Sequence, residues 1–249
     1  MTEENKRTDK IGKNKSIRRK SLLRDYALQL LVVVIGILIT FQGTAWVAKR
    51  SERNQMREIL ESVKKEMELN TLRMDQALQI GQNELAGMDF FRRYINDINK
   101  APADSLNSYI SLLRSNRRYE VTSDALEVLK TSSNAVNVMD KGLLQGIFSA
   151  YNTVGVIFQN INYYYIEKTE VIKTFHAATD IDITGDPRKQ PYKFVGSYFG
   201  SPASRNFLLN APMMLKPNLS VLELVIKEYG DAVEEINDYI SGKIKHFNE

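Results

Sequence analysis

The stretch "DIDITGDP" holds the residue types best suited to chemistry. Asp180, Asp182, Thr184, Gly185 and Asp186 fall where a calcium loop sets its first ligands. In such a loop alternate oxygens turn inward and a glycine permits the sharp bend. The twelfth position should carry a bidentate Glu but is Pro191, and no acid stands at 187–191 to replace it. A solvated turn is the better reading. Asp180, Asp182 and Asp186 remain the one metal candidate. His176 and His246 are the only histidines. A lone histidine near a helix end more often serves the helix terminus than a metal. The chain has no cysteine, which excludes disulfides, thiolate metal sites and thiol catalysis. No G-x-S-x-G, P-loop or H-E-x-x-H pattern occurs. The consecutive tyrosines Tyr163 to Tyr165 could stack on a ligand. Three neighbours span most of a helix circumference, however, so core plus rim is the expected arrangement. No catalytic residue, enzyme activity or cofactor is expected.

The elements that would position such groups begin with "LLVVVIGILITFQGTAW", Leu30 to Trp46. From Tyr26 to Ala48, 23 residues carry no formal charge. As a helix they reach about 34 Å, enough to cross a hydrocarbon core of about 30 Å. No amphipathic stripe marks a surface helix. Tyr26 and Trp46 stand near the ends, where aromatic rings favour the headgroup layer. Gly43-Thr44-Ala45 resembles a signal cleavage site, but the leading region is long and the residues after Trp46 continue as helix. An anchor over 26–48 is the prediction. Residues 1–25 hold nine Lys/Arg against four acids, so the net charge of +4 belongs to this tail. Beside an apolar run its partner is anionic lipid headgroups, with no nucleic acid expected. Six Lys/Arg precede the span within 15 residues and four follow it. The positive-inside rule therefore predicts a cytoplasmic amino terminus and a carboxyl-terminal domain outside. Gly36, Thr40, Thr44 and Ala48 recur every four residues, a small-residue face that could bring two anchors together, with Gln42 able to add a hydrogen bond.

Residues 49–249 read as an all-α domain. Leu60, Val63, Met67, Met74 and Leu78 give a thin stripe on a long helix, interrupted at Asn70 and softened at Gly81 and Gly87. "APADS" at 101–105 reads as a turn. Asp124 and Glu127 suggest a helix start, continuing to about Thr131. A further helix runs from about Asp140 to His176. Five of the six prolines lie at 187–217, which predicts an irregular insert over 178–217. Ser220 and Glu223 suggest a capping box opening the last helix. That helix carries Leu222, Ile226, Tyr229, Val233, Ile236, Ile240 and Ile244 on one bundle-packing stripe. The expected fold is thus one transmembrane helix, a long helix and an extramembrane helical bundle.

"VVVIGILITFQGTAWVAKRSER" resembles an uncharacterised bacterial family of single-pass membrane proteins, described only as a domain of unknown function. The matching positions are Gly36, Ile37, Leu38, Ile39, Gln42 and Trp46. Leu129, Lys130, Ser132, Ser133, Leu143, Leu144 and Tyr151 fit a second motif of that family loosely. After Gln42 this chain has Gly-Thr-Ala where relatives favour Asn. It also has Val-Ala after Trp46, where they have Asn-Glu. The resemblance implies an inner-membrane location and no known activity.

These readings combine into one functional expectation. The chain is a non-enzymatic inner-membrane protein presenting a periplasmic bundle to another envelope protein or to itself. The alternative is a ligand-binding sensor that signals through a separate membrane partner.

Overall fold

Apolar residues at alternating three- and four-residue steps fix the helices, and every regular element among the described residues is helical. The computed structural model describes residues 3–133, 135, 139–179 and 186–243, with side chains from 26 onward except 27. It divides into two units, Met1–Gln55 and Met56–Glu249. Helix α1 spans Glu3–Tyr94. In the first unit every described side chain from Tyr26 to Arg50 is exposed. By length and composition, α1 holds the one helical segment among the described residues able to cross a membrane.

In the second unit α1 carries a nearly unbroken stripe. Met56, Leu60, Val63, Met67, Asn70, Met74, Ala77, Gly81, Glu84, Met88 and Phe91 are all buried. After α1 come a 3-10 turn at Ile98–Lys100, α2 (Ala103–Tyr109), a 3-10 turn at Ile110–Arg114 and α3 (Asp124–Thr131). Then follow α4 (Lys141–Ala178), a 3-10 turn at Pro187–Lys189, α5 (Pro191–Gly200) and α6 (Pro202–Ile240). Asp140 caps α4 by accepting from the Leu143 N–H at 3.0 Å.

Side-chain pairs set the helix directions. Glu66 meets Tyr151 and Glu84 meets Lys168, so α1 and α4 run parallel. Tyr151 stacks near Tyr229 at 5.8 Å and Tyr164 near Phe207 at 5.7 Å, so α6 runs antiparallel to α4. Two parallel helices need a return crossover, and the described residues from 95 to 133 carry most of it.

Of the 178–217 segment, the described residues 186–217 are helical rather than an irregular insert. Pro187, Pro191 and Pro202 each stand in the first turn of a helical element, where no intrahelical N–H is needed. Pro212 and Pro217 lie inside α6. Ser220 therefore opens nothing: it sits mid-helix and its hydroxyl donates to the Lys216 carbonyl. The "APADS" turn is confined to its first residues, since α2 starts at Ala103. Ile244 and His246 lie outside the described residues.

α1 also runs unbroken through Gly81 and Gly87, and close packing explains why. A Cβ at Gly81 would stand 2.5 Å from Leu219 Cδ2, and one at Gly87 2.6 Å from Leu112 Cδ1. The glycines admit neighbouring side chains rather than bend the helix. Gly81→Val is expected to cost about 1–3 kcal/mol by overpacking, despite the better helix propensity of valine. Thermal unfolding should show the loss in wild-type background and much less of it beside Leu219→Ala. An equal loss in both backgrounds would reject the close-approach explanation.

Candidate functional site

The chemistry-bearing side chains of the bundle gather along the crossover. Residues 115–123 descend between α1 and α4, tied at each step by a side chain from one helix or the other. At the upper end the Ser115 hydroxyl donates to Glu84 Oε1 at 2.6 Å. Lys168 Nζ donates to both Glu84 oxygens at 2.9 and 2.7 Å and to Ser115 Oγ at 2.8 Å. The Tyr164 hydroxyl donates to Glu84 Oε2 at 3.0 Å. Glu84 and Lys168 are each only 3% exposed, so this is a buried ion pair with its lone pairs and protons filled. Lys168 also lies 5.8 Å from the Tyr164 ring centre and 5.5 Å from that of Tyr165. Burial lowers the Lys168 pKa, and the Glu84 carboxylate works against that shift.

Further down, two asparagines act as clamps. Asn162 accepts from the Tyr119 N–H and donates to its carbonyl, both at 2.8 Å. Asn70 accepts from the Thr122 N–H at 3.0 Å and donates to the Thr122 carbonyl at 2.8 Å. Each side-chain amide supplies one donor and one acceptor, as a neighbouring strand would. Arg73 adds a bond to the Thr122 hydroxyl. At the bottom Glu66 takes the place of a local cap for α3. Its carboxylate accepts from the Ala125 N–H at 2.9 Å and the Leu126 N–H at 3.4 Å, and from the Tyr151 hydroxyl at 2.7 Å. The expected box from Asp124 and Glu127 is not what caps this helix. Ser123 is the N-cap without a side-chain bond, and Glu127 pairs with Lys130 at 2.7 Å. A carboxylate is suited to a helix amino terminus, where free N–H groups and the dipole favour negative charge.

The clamps carry a direct prediction. Asn70→Ala should cost about 1–3 kcal/mol, because the Thr122 amide groups lose their partner. Hydrogen exchange at the Thr122 amide should accelerate while the Tyr119 amide, held by Asn162, stays protected. Equal acceleration at both would mean that the crossover opens as one unit.

Most of the residues singled out in sequence lie elsewhere. Asp180 and Asp182 are outside the described residues. Asp186 caps the Pro187–Lys189 turn by accepting from the Arg188 N–H at 3.0 Å. Among the described residues no group of three or more His, Cys, Asp or Glu is placed to hold a metal ion. Burial, then the charge of Arg114, lowers the His176 pKa, which works against a charged ring at the helix terminus. Tyr164 and Tyr165 are core and Tyr163 is 56% exposed, the core-plus-rim arrangement. In the first unit Gly36, Gln42, Thr40, Thr44 and Ala48 are exposed. The Thr40 hydroxyl donates to the Gly36 carbonyl at 2.8 Å and that of Thr44 to the Phe41 carbonyl at 2.9 Å, so both hydroxyl protons are used within the helix. Trp46 stacks under Arg50, 5.4 Å from guanidinium carbon to ring centre.

Glu66, Asn70, Glu84 and Lys168 were missed as site residues in sequence. A signal existed: Asn70 and Glu84 occupy buried steps of the α1 stripe, and Lys168 lies on the buried face of α4. Polar groups at such steps need partners inside. Compared with family models, curated proteins and solved structures, the chain matches none.

Proposed function

We propose that the chain is a single-pass protein of the bacterial inner membrane, with its amino terminus cytoplasmic and its helical bundle periplasmic. In this reading the bundle is a non-enzymatic structural or accessory component that meets partners in the envelope. The uncharged segment 26–48 carries the proposal, since its described side chains are exposed and apolar and its length matches the thickness of a bilayer. The Trp46–Arg50 pair suits the headgroup layer at its end. The accessory role is supported by how the buried polar groups are spent. Glu66, Glu84 and Lys168 all hold the crossover in place, and the cavity that Glu84 and Lys168 line has a volume of only about 20 Å3.

The absence of cysteine makes the topology test clean. Single cysteines at Ser21 and Ser62 are labelled in spheroplasts with a membrane-impermeant maleimide. Cys at position 62 should react in intact spheroplasts and Cys at position 21 only after lysis; the reverse pattern overturns the orientation. For the accessory role, a photo-crosslinking residue replaces Met213, which is 76% exposed. One discrete partner adduct in native membranes is the expected result. Adducts only to itself, or none, would remove the accessory reading.

A further inference from the structure

The crossover does more than close the bundle. On its outer side it forms one wall of a groove of about 590 Å3. Arg117 and Arg118 stand on that wall, Arg73 and Gln76 on the facing side of α1, and the partly exposed Ile80 and Tyr119 give it apolar surface, with the buried Phe158 behind them. This size and mix suit a small molecule, which commonly rests on apolar side chains and is oriented by a few polar ones. The charge is one-sided. Of the charged residues on the groove, Glu120 is the sole acid, and it pairs with Arg118 at 2.8 Å. Arg73 and Arg117 are left uncompensated by any carboxylate on the groove.

Arginine is the side chain fitted to planar oxyanions, because its donors form a rigid fork that stays charged at any physiological pH. Both arginines are also held on fixed supports. Arg73 sits on a helix and is fixed through Thr122. Arg117 precedes Tyr119 by two residues, and both backbone polar groups of Tyr119 are clamped by Asn162. The buried Phe158 ring backs that of Tyr119 at 5.5 Å, so the apolar side of the groove belongs to the same rigid assembly. A pre-set site loses less freedom on binding than a mobile one.

We propose that this groove binds a soluble small molecule carrying a phosphate or carboxylate on a compact apolar body. The oxyanion lies between Arg73 and Arg117, and the body rests on Ile80 and Tyr119. Arg118, already paired with Glu120, shapes the entrance without carrying the recognition. The inference rests on the bundle alone and holds on either side of a membrane.

The test uses the full chain in phosphatidylcholine nanodiscs with phenyl phosphate as probe, read by saturation-transfer NMR of its ring protons. Phenol serves as the uncharged control. Saturation transfer to phenyl phosphate is expected, with little to phenol. Arg117→Glu and Gln76→Glu, on opposite walls and both exposed, should each weaken binding at least tenfold while leaving the melting temperature unchanged. Arg118→Ala should keep most of the affinity. No transfer to phenyl phosphate, equal transfer to phenol, or full binding by both glutamate variants would overturn the site.

Discussion

Lys168→Met is expected to destabilise the bundle by about 3–5 kcal/mol, the usual cost of stranding one partner of a buried ion pair. The physical reason is the Glu84 carboxylate. It is 3% exposed and would keep its two hydroxyl donors, Ser115 and Tyr164, but lose the ammonium that balances its charge. A bundle of this size loses about 2–4 °C of melting temperature per kcal/mol, so a fall of roughly 6–20 °C is anticipated. The second substitution decides whether charge is the cause. Glu84→Gln added to Lys168→Met removes the stranded charge and leaves an oxygen for both hydroxyls. The double variant should recover at least about 2 kcal/mol over Lys168→Met alone, a coupling expected only of residues in one network. Circular dichroism of the full chain in nanodiscs would measure wild type, Lys168→Met, Glu84→Gln and the double variant. Strict additivity would show that the pair is wetter than its burial indicates.

This pair also shows where sequence reading stops. The stripes on α1 and α6 were legible because core apolar residues repeat at a fixed local step. Leu60, Val63, Met67 and Met74 are buried, as are Leu222, Tyr229 and Ile236. Asn70 was read as an interruption of its stripe, yet it is fully buried and clamps Thr122, 52 residues away. Glu66 and Glu84 find their partners at still greater separations, between 59 and 85 residues for all but Ser115. Periodicity carries no information about such distant pairings. It shows that a polar residue is on the inner face, not which group answers it. The prolines failed for a different reason. Their clustering read as loop, whereas three of them sit in first turns, where the missing N–H costs nothing. The arginine groove has no local signature, since α1 and the crossover meet there only through the parallel placement of α1 and α4.

The same buried hydroxyls predict a sharp alkaline transition. Burial, reinforced by the Glu84 charge, pushes the Tyr164 and Tyr165 pKa values far above the usual 10.0. Tyr198 is pushed up to about 12 by burial, and Tyr229 is raised by burial with the charge of Glu66 adding to it. In the unfolded chain these groups lose their protons near pH 10; in the folded chain they keep them. Above that pH the folded state binds more protons than the unfolded one, so stability falls as pH rises. The contribution is fully present below pH 10 and is lost on the way up to the folded values. Each tyrosine accounts for about 1.4 kcal/mol by pH 11, and four together for about 6 kcal/mol. Lys168 acts in the opposite sense, because its lowered pKa favours the folded state as pH rises, but it is one group against four. Against a typical total of about 5–15 kcal/mol, the bundle should unfold cooperatively between about pH 11 and 12. Helical circular dichroism and phenolate absorbance, followed together, should change in one step for these four rings. Ionisation of them well below the loss of helix would mean that water reaches the tyrosine layer in the folded state. Tyr164→Phe offers the control. It removes one titrating group, so stability should fall less steeply with pH above 10, whatever the lost Glu84 hydrogen bond costs at neutral pH.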